Sequence, residues 1–98
     1  MATYITLIRF TQQGAQTIKD APGRLASARQ AMRSMGAEMK AIYYTQGQYD
    51  AIAIVEAPDD ETIAKVALAL GAVGNVRTET LRAFTEEEFG AIIAGIPG

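Results

Sequence analysis

The tetrapeptide Gly47-Gln48-Tyr49-Asp50 lies between two short runs of apolar, β-branched and aromatic residues, at 39–45 and 51–55. Glycine accepts the positive φ that a tight reversal of the chain requires. The tetrapeptide therefore predicts the tip of a β-hairpin that joins two strands. Because it lies near the middle of the chain, it also divides the sequence into two similar halves.

The first half predicts a strand, a helix and a second strand. Residues 4–10 form a short run of β-favouring side chains. After the hydroxyl of Thr11 and a brief helical turn or loop at 12–18, Pro22 suits the first position of a longer helix, which ends at Gly36. The apolar stripe of that helix consists of Leu25, Ala28, Met32 and Met35, and its solvent-facing side carries Arg24, Arg29 and Arg33.

The second half repeats this plan. Residues 49–56 hold a continuous apolar stretch that predicts a strand, and Pro58 ends it. Asp59 caps the next helix, whose acidic first turn suits the positive end of the helix dipole. That helix ends at Gly71, and residues 76–84 form the fourth strand. The buried stripe of the helix consists of Ile63, Val66, Ala67 and Leu70.

Two strand–helix–strand units predict an α+β fold of the ferredoxin-like βαββαβ type. Right-handed crossovers put both helices on one face of a four-stranded antiparallel sheet. The expected strand order is 4-1-3-2, with strands one and three in the centre. We expect a single domain over residues 1–98, in which residues 3–84 form the core and residues 85–96 add a terminal helix.

The terminal helix has the clearest local signal. Thr85 and Glu88 match a capping box, and Phe84 and Phe89 match the hydrophobic staple that often accompanies it. The apolar residues at helical spacing, which need a surface to cover, are Phe89, Ile92, Ile93 and Ile96.

The second face of the predicted sheet is apolar where solvent would require polar side chains. Side chains along a strand alternate between the two faces, and neither set is polar. In strand one Ile5 and Leu7 oppose Tyr4, Ile8 and Phe10, and in strand three Ile52 and Ile54 oppose Ala51, Ala53 and Val55. An exposed apolar patch of this size is unusual for a soluble monomer. We therefore expect a homodimer, or a larger homo-oligomer, in which two sheets pack face to face under two-fold symmetry. The alternative is that the terminal helix folds over this face within one chain.

Composition excludes several classes of function. The 98-residue chain contains neither cysteine nor histidine, so it has no thiol nucleophile, Cys/His zinc site or Ser-His pair. The net charge of −2 gives no electrostatic footprint for nucleic acid. No apolar run approaches the roughly 18 residues of a membrane span, and the start lacks a signal-peptide pattern. We expect a cytoplasmic protein with no cofactor, metal, nucleic-acid or membrane partner.

The Gly-x-Tyr-Asp motif at 47–50, with Glu-Ala-Pro-Asp-Asp at 56–60 and Asn-Val-Arg-Thr-Glu-Thr at 75–80, resembles the GYD-domain family of small prokaryotic proteins. The resemblance extends from residue 3 to residue 89. It implies a relationship to the dimeric α/β-barrel group, in which two ferredoxin-like sheets form a barrel. That group includes cofactor-free monooxygenases, the chlorite dismutase type and ligand-binding domains of feast-famine regulators. The resemblance implies a bacterial protein. The family has no settled activity, so whether this protein is an enzyme stays open.

Three candidate ligand-binding residues lie around the hairpin. Tyr49 and Asp50 form either an acid–base or ligand-binding pair, or a structural pair in which Asp50 accepts backbone N–H groups at the turn. Tyr43 lines either a substrate pocket, or the core or the dimer interface.

Three further candidates lie elsewhere. Arg9 and Arg77, on neighbouring strands, either bind an anionic ligand or form ion pairs with Glu56 and Glu79, across strands or between subunits. Met32 either lines an apolar ligand pocket between the first long helix and the sheet or belongs to the core. The acidic runs at 59–61 and 86–88 suit helix starts, so we assign no metal site.

These features support two functions. The first is a homo-oligomeric small-molecule-binding module with an apolar pocket in each subunit, with or without cofactor-free catalysis. The alternative is a non-catalytic sensing or assembly module that acts through oligomerisation. An RNA-recognition domain shares the topology, but the third strand is acidic and aliphatic rather than basic and aromatic.

Overall fold

Four strands and four α-helices make up the computed structural model, which describes residues 1–98. The strands are β1 (Ala2–Phe10), β2 (Glu38–Tyr44), β3 (Ala51–Ala57) and β4 (Val76–Ala83). The helices are α1 (Gln12–Gln16), α2 (Ala21–Ser34), α3 (Asp60–Val73) and α4 (Glu86–Ala94), with a 3₁₀ turn at Ile18–Asp20. This is the α+β arrangement that the two strand–helix–strand halves predict.

The four strands form one sheet in the order β2-β3-β1-β4, and every neighbouring pair is antiparallel. Read from the β4 edge, the order is 4-1-3-2, with β1 and β3 in the centre. Tyr4 lies opposite Val55 on one side and Arg82 on the other, which fixes the register. A shift between Met39 and Ala41 interrupts the pairing of β2 with β3.

The core lies between the sheet and the two long helices. Alternate residues of the central strands are buried there, because side chains along a strand point to opposite faces. These buried strand residues are Tyr4, Thr6, Ile8, Ala51, Ala53, Val55 and Ala57, and the helices add Met32, Ile63 and Val66. Only 12 of the 98 residues are buried, so much of each helix stripe stays partly accessible.

The opposite side of the sheet, here called the open face, carries no helix. It consists of Ile5, Leu7, Tyr43, Ile52, Ile54 and Leu81. The register puts Ile5 between Ile54 and Leu81, so the apolar surface crosses the width of the sheet. All of these side chains are half-buried or exposed in the single chain.

Several predicted boundaries are wrong. Strand β1 begins at Ala2 rather than at residue 4, and α4 ends at Ala94 rather than at residue 96. Helix α3 continues through Gly71 to Val73, and it ends because Gly74 adopts a left-handed φ of 93°. Of Gly71 and Gly74, only Gly74 takes the left-handed conformation that reverses the chain at a helix end. Strand β3 begins at Ala51 rather than at residue 49, because Tyr49 still belongs to the turn, where its carbonyl accepts a hydrogen bond from the hydroxyl of Thr45.

The start of α2 also differs from the expectation. The helix begins at Ala21, so Pro22 occupies its second position. Arg24 and Arg29 on its predicted solvent-facing side are half-buried rather than fully exposed. The guanidinium of Arg24 donates to the carbonyls of Thr17 at 2.8 Å and Gly14 at 3.1 Å, so it holds α1 and the 3₁₀ turn against α2.

Helix α4 has the predicted capping box. The backbone N–H of Glu88 donates to the Thr85 hydroxyl, and the backbone N–H of Thr85 donates to the Glu88 carboxylate. The helix does not fold over the open face: every residue of α4 except Glu88 is exposed. The alternative in which α4 covers that face within one chain is therefore not adopted. None of the four helices combines the length and hydropathy of a membrane-spanning segment.

Candidate functional site

A cleft of about 950 Å³ lies between α2, α3 and the sheet. Of its 26 lining residues, 18 are hydrophobic. Its walls come from the apolar stripes of the two helices and its floor from the central strands. The residues that define it best are Ile8, Leu25, Ala28, Met32, Ala51, Ala53, Val66 and Leu70.

Small side chains leave this space open. Ala51 and Ala53 form the floor where larger β-branched residues would fill the gap beneath the helices. Met35 and Met39 border the cleft, and their flexible thioethers can adapt to the shape of a ligand. Thr6 is the one buried polar residue of the chain, and it also lines the cleft. An apolar chamber thus has a single hydroxyl in its floor.

The rim of the cleft is polar. It includes Lys19 and Asp20 of the 3₁₀ turn, and Tyr44 at the end of β2. The two ion pairs of the chain are Lys40–Glu38 and Lys65–Glu61, so Lys19 has no carboxylate within ion-pair distance. A free ammonium group at the rim can attract an anionic group of a ligand.

Asp50 ties the hairpin to β1. Its Oδ2 accepts the backbone N–H of Phe10 at 2.8 Å, and its own backbone N–H donates to the carbonyl of Ile8 at 2.8 Å. Gly47 adopts a φ of 107° at the tip. The structural alternative for Asp50 was that its carboxylate accepts backbone N–H groups at the turn. It does accept a backbone N–H, but the donor is Phe10 of β1 rather than a residue of the turn.

Tyr49 joins a charged cluster at one end of the open face. The guanidinium of Arg9 lies 4.7 Å from the centre of the Tyr49 ring, a cation–π contact. The Tyr49 hydroxyl donates to Glu79 Oε2 at 3.2 Å. Arg77 lies directly opposite Arg9 in the register of β1 and β4, and neither arginine forms an ion pair within the chain.

The six candidate residues therefore occupy three places. Met32 lines the cleft with a side chain that is 3% exposed. Asp50 binds backbone at the hairpin. The remaining four lie on or beside the open face: Tyr43, Tyr49, Arg9 and Arg77. The structure does not bring these four together with Met32.

Sequence reasoning missed a contact between Tyr4 and Asp60. The buried Tyr4 donates its hydroxyl proton to Asp60 Oδ1 at 2.5 Å, which joins β1 to the start of α3. The hydrogen bond to the Asp60 carboxylate, and then burial, raise the pKa of Tyr4 above its usual value. The guanidinium of Arg82, 5.5 Å from the ring centre, opposes this shift in part. The only signal in the sequence is a tyrosine at a helix-facing strand position.

Each acidic run supplies one carboxylate that caps a helix. The backbone N–H of Thr62 donates to Asp59, and this hydrogen bond lowers the pKa of Asp59. The backbone N–H of Thr85 lowers the pKa of Glu88 in the same way. No three acidic side chains gather where they could hold a metal ion.

Comparison with known proteins assigns the family. A Thermus thermophilus protein named glutamine synthetase and cystathionine beta-lyase binding protein is 38% identical over 84 residues, which cover 85% of this chain and 88% of that protein. The crystal structure of TTHA0845, also from Thermus thermophilus, is similar with a TM-score of 0.56 at 28% identity, covering 87% of this chain and 95% of that one. The sequence profile of the GYD domain matches residues 4–93. The chain therefore belongs to the GYD domain family, as its Gly-x-Tyr-Asp motif predicts.

Proposed function

We propose that the protein is a homo-oligomeric small-molecule-binding module whose ligand site is the cleft between α2, α3 and the sheet. The observation that carries this proposal is the cleft itself. Its volume of about 950 Å³ falls in the range of roughly 300–1,000 Å³ that is usual for ligand pockets. A mainly apolar lining with a few polar groups at the rim is also the usual composition of such sites.

The lining favours a particular class of ligand. Methionine walls and an alanine floor suit an apolar body, the Thr6 hydroxyl can exchange one hydrogen bond with it, and Lys19 suits an acidic group at the rim. We therefore propose a largely apolar molecule with one anionic group. Binding without catalysis is the simpler version, since no buried titratable side chain lines the cleft.

Self-association is the second part of the proposal. Two ferredoxin-like sheets would pack through their open faces into a dimeric α/β barrel in the cytoplasm. The apolar open face supports this, because a large apolar side chain taken from full exposure to full burial stabilises a dimer by about 1.5–3 kcal/mol. The half-buried side chains of this face contribute a part of that amount each. In this arrangement Met32 contacts the ligand, whereas Arg9, Arg77, Tyr43 and Tyr49 belong to the subunit interface.

A matched pair of substitutions tests the ligand site. Ala69 lines the cleft and Ala64 of the same helix does not, although both are exposed. The probe is 1-anilinonaphthalene-8-sulfonate, an apolar dye with one anionic group, titrated by fluorescence and checked for thermal stabilisation. We expect Ala69→Phe to fill the cleft and weaken binding about tenfold or more, while Ala64→Phe leaves it unchanged. Equal affinity in both variants would assign the dye to another surface and contradict the proposal.

A second candidate is a non-catalytic module that binds a larger enzyme. It is favoured by the relative named for binding glutamine synthetase and cystathionine beta-lyase. Its test is co-elution of the purified protein with glutamine synthetase and, separately, with cystathionine beta-lyase, each from the organism that supplies this protein. If Ala69→Phe abolishes dye binding but leaves co-elution intact, the two functions use different surfaces.

A further inference from the structure

We infer that α4 is an exchanged arm: its apolar side packs beside the contact of the two sheets, at the end of the partner copy's open face that carries Arg9 and Arg77, and its acidic first turn meets these arginines. The inference rests on the proposed self-association and adds the orientation of the two subunits. It assigns a partner to two surfaces that the single chain leaves uncovered.

The first observation is the exposure of α4. Phe89 is 54% exposed, and Ile92 and Ile93 are about as accessible. Ile96, which follows the end of the helix, is 65% exposed. The long axis of the chain measures 54 Å, against 31 and 18 Å for the other two axes. A capped helix with an apolar stripe, exposed along its length, is suited to pack on another molecule.

The second observation is that the two ends of the open face carry opposite charge. One end holds Arg9 and Arg77 side by side, neither within ion-pair distance of a carboxylate. The acidic residue nearest to them along β4 on this face, Glu79, accepts the Tyr49 hydroxyl, so this end keeps a net positive charge. Like charges opposite each other on neighbouring strands repel. The other end, where Ala83 pairs with Thr3, leads directly into the acidic first turn of α4, which contains Glu86, Glu87 and Glu88.

Charge selects between the two ways of packing the sheets. A two-fold axis parallel to the strands would bring the arginine ends of both copies together. An axis in the plane of the interface but perpendicular to the strands lays the arginine end of one copy against the α4 end of the other. This second axis also keeps β4 above the partner's β4, so α4 comes next to the arginine end of the partner's β4. Opposite charges then meet twice, once at each end.

Reversal of the charges at the two ends, in separate variants and then together, tests this geometry. In one variant Glu86→Arg and Glu87→Arg reverse the first turn, while Glu88 stays to preserve the capping box. In the other variant Arg77→Glu reverses the opposite end. We expect each variant alone to raise the dimer dissociation constant about tenfold or more at low salt, measured by analytical ultracentrifugation. An equimolar mixture, and a chain that carries all three changes, should recover near wild-type affinity.

The matched control is Glu61→Arg, which removes an acidic residue from the first turn of α3 away from the open face. It should leave the dissociation constant unchanged. A dissociation constant unchanged by either charge reversal, or a mixture of the two variants that does not recover wild-type affinity, would overturn the exchanged arm but leave the proposed dimer intact. A wild-type chain that stays monomeric at micromolar concentration would remove both, whereas the dye titration of the cleft stands independently.

The apolar side of α4 gives a second, independent measurement. Ile92→Ser with Ile93→Ser should raise the same dissociation constant about tenfold or more, because these side chains lose their partner surface. Leu68→Ser, at an exposed leucine of α3, is the control and should have no effect. Unchanged dimer affinity in the α4 variant would contradict the packing of α4 on the partner.

Discussion

Gly14 allows a close approach of two backbone segments that no helical or strand pattern in the sequence predicts. It is buried in α1, where a Cβ atom would come within 2.1 Å of the Asn75 carbonyl oxygen. The neighbouring Thr11 donates its hydroxyl to the Gly74 carbonyl at 2.6 Å and its backbone N–H to the Asn75 carbonyl at 3.1 Å. Together these contacts hold the end of β1 against the turn between α3 and β4.

Replacement of this glycine should therefore destabilise the protein. We expect Gly14→Ala to lower the free energy of unfolding by about 1–3 kcal/mol, because the rigid backbone of Asn75 must move. Gly23 of α2 has nothing within 4 Å of a Cβ position, so Gly23→Ala should be neutral or stabilise the helix by up to about 1 kcal/mol. Urea unfolding of both variants is the measurement. A Gly14→Ala variant as stable as Gly23→Ala would mean that the approach is not tight.

At the scale of the element, the caps define where the helices begin. Asp59 caps α3 through the backbone N–H of Thr62 at 2.8 Å, and Glu88 completes the capping box of α4. Both carboxylates are stabilised in their ionised form by these N–H groups, so the pKa of each is lowered. An acid with a lowered pKa in the folded state stabilises the fold above its unfolded pKa, and this contribution disappears as the pH falls.

The cap of α3 makes stability depend on pH. The unperturbed pKa of Asp59 is 3.8, so its contribution is complete near neutral pH and decreases once the pH falls below about 4. Asn caps helices well but does not titrate, so Asp59→Asn should flatten this part of the profile. Urea unfolding at neutral pH and at about pH 3 measures it.

The control is Asp20→Asn, since the Asp20 side chain makes no capping hydrogen bond at the start of α2. Its profile should follow that of the wild type. The prediction fails if the Asp59→Asn variant loses as much stability as the wild type over the same pH interval.

At the scale of the whole molecule, the two apolar faces of the sheet differ in how far the chain covers them. The helix-facing side of the sheet is covered by α2 and α3 around a cleft, whereas the open face has no cover within the chain. The stability of the folded protein should then depend on concentration, since anything that binds only the folded state stabilises it by mass action.

A lysine in the middle of the open face should abolish this dependence. We expect the thermal midpoint of the wild type to rise with protein concentration and that of Ile54→Lys to stay constant, because a charge buried between two sheets prevents association. Leu68→Lys, on the exposed side of α3, should behave as the wild type. Differential scanning calorimetry over a wide range of concentrations distinguishes these outcomes. A wild-type midpoint independent of concentration would contradict the proposed dimer.

The amino-acid sequence by itself determined the elements and the family. These follow from local patterns, which can be recognised without knowledge of the tertiary structure. They are the alternation of Ile5 and Leu7 with Tyr4 and Ile8, the capping box at Thr85 and the Gly-x-Tyr-Asp motif. The helix end at Gly74 was missed because Gly71 offers the same residue type, and only the backbone conformation separates them.

Only the tertiary structure decided which side chains meet. The bond from Tyr4 to Asp60, the contact of Gly14 with Asn75 and the stacking of Arg9 on Tyr49 join residues far apart in the chain. Such contacts depend on the relative position of packed elements, and no periodicity encodes a distance between them. The cleft has the same origin: the sequence shows alanines and methionines, but their arrangement around an open space follows from how α2 and α3 lie on the sheet.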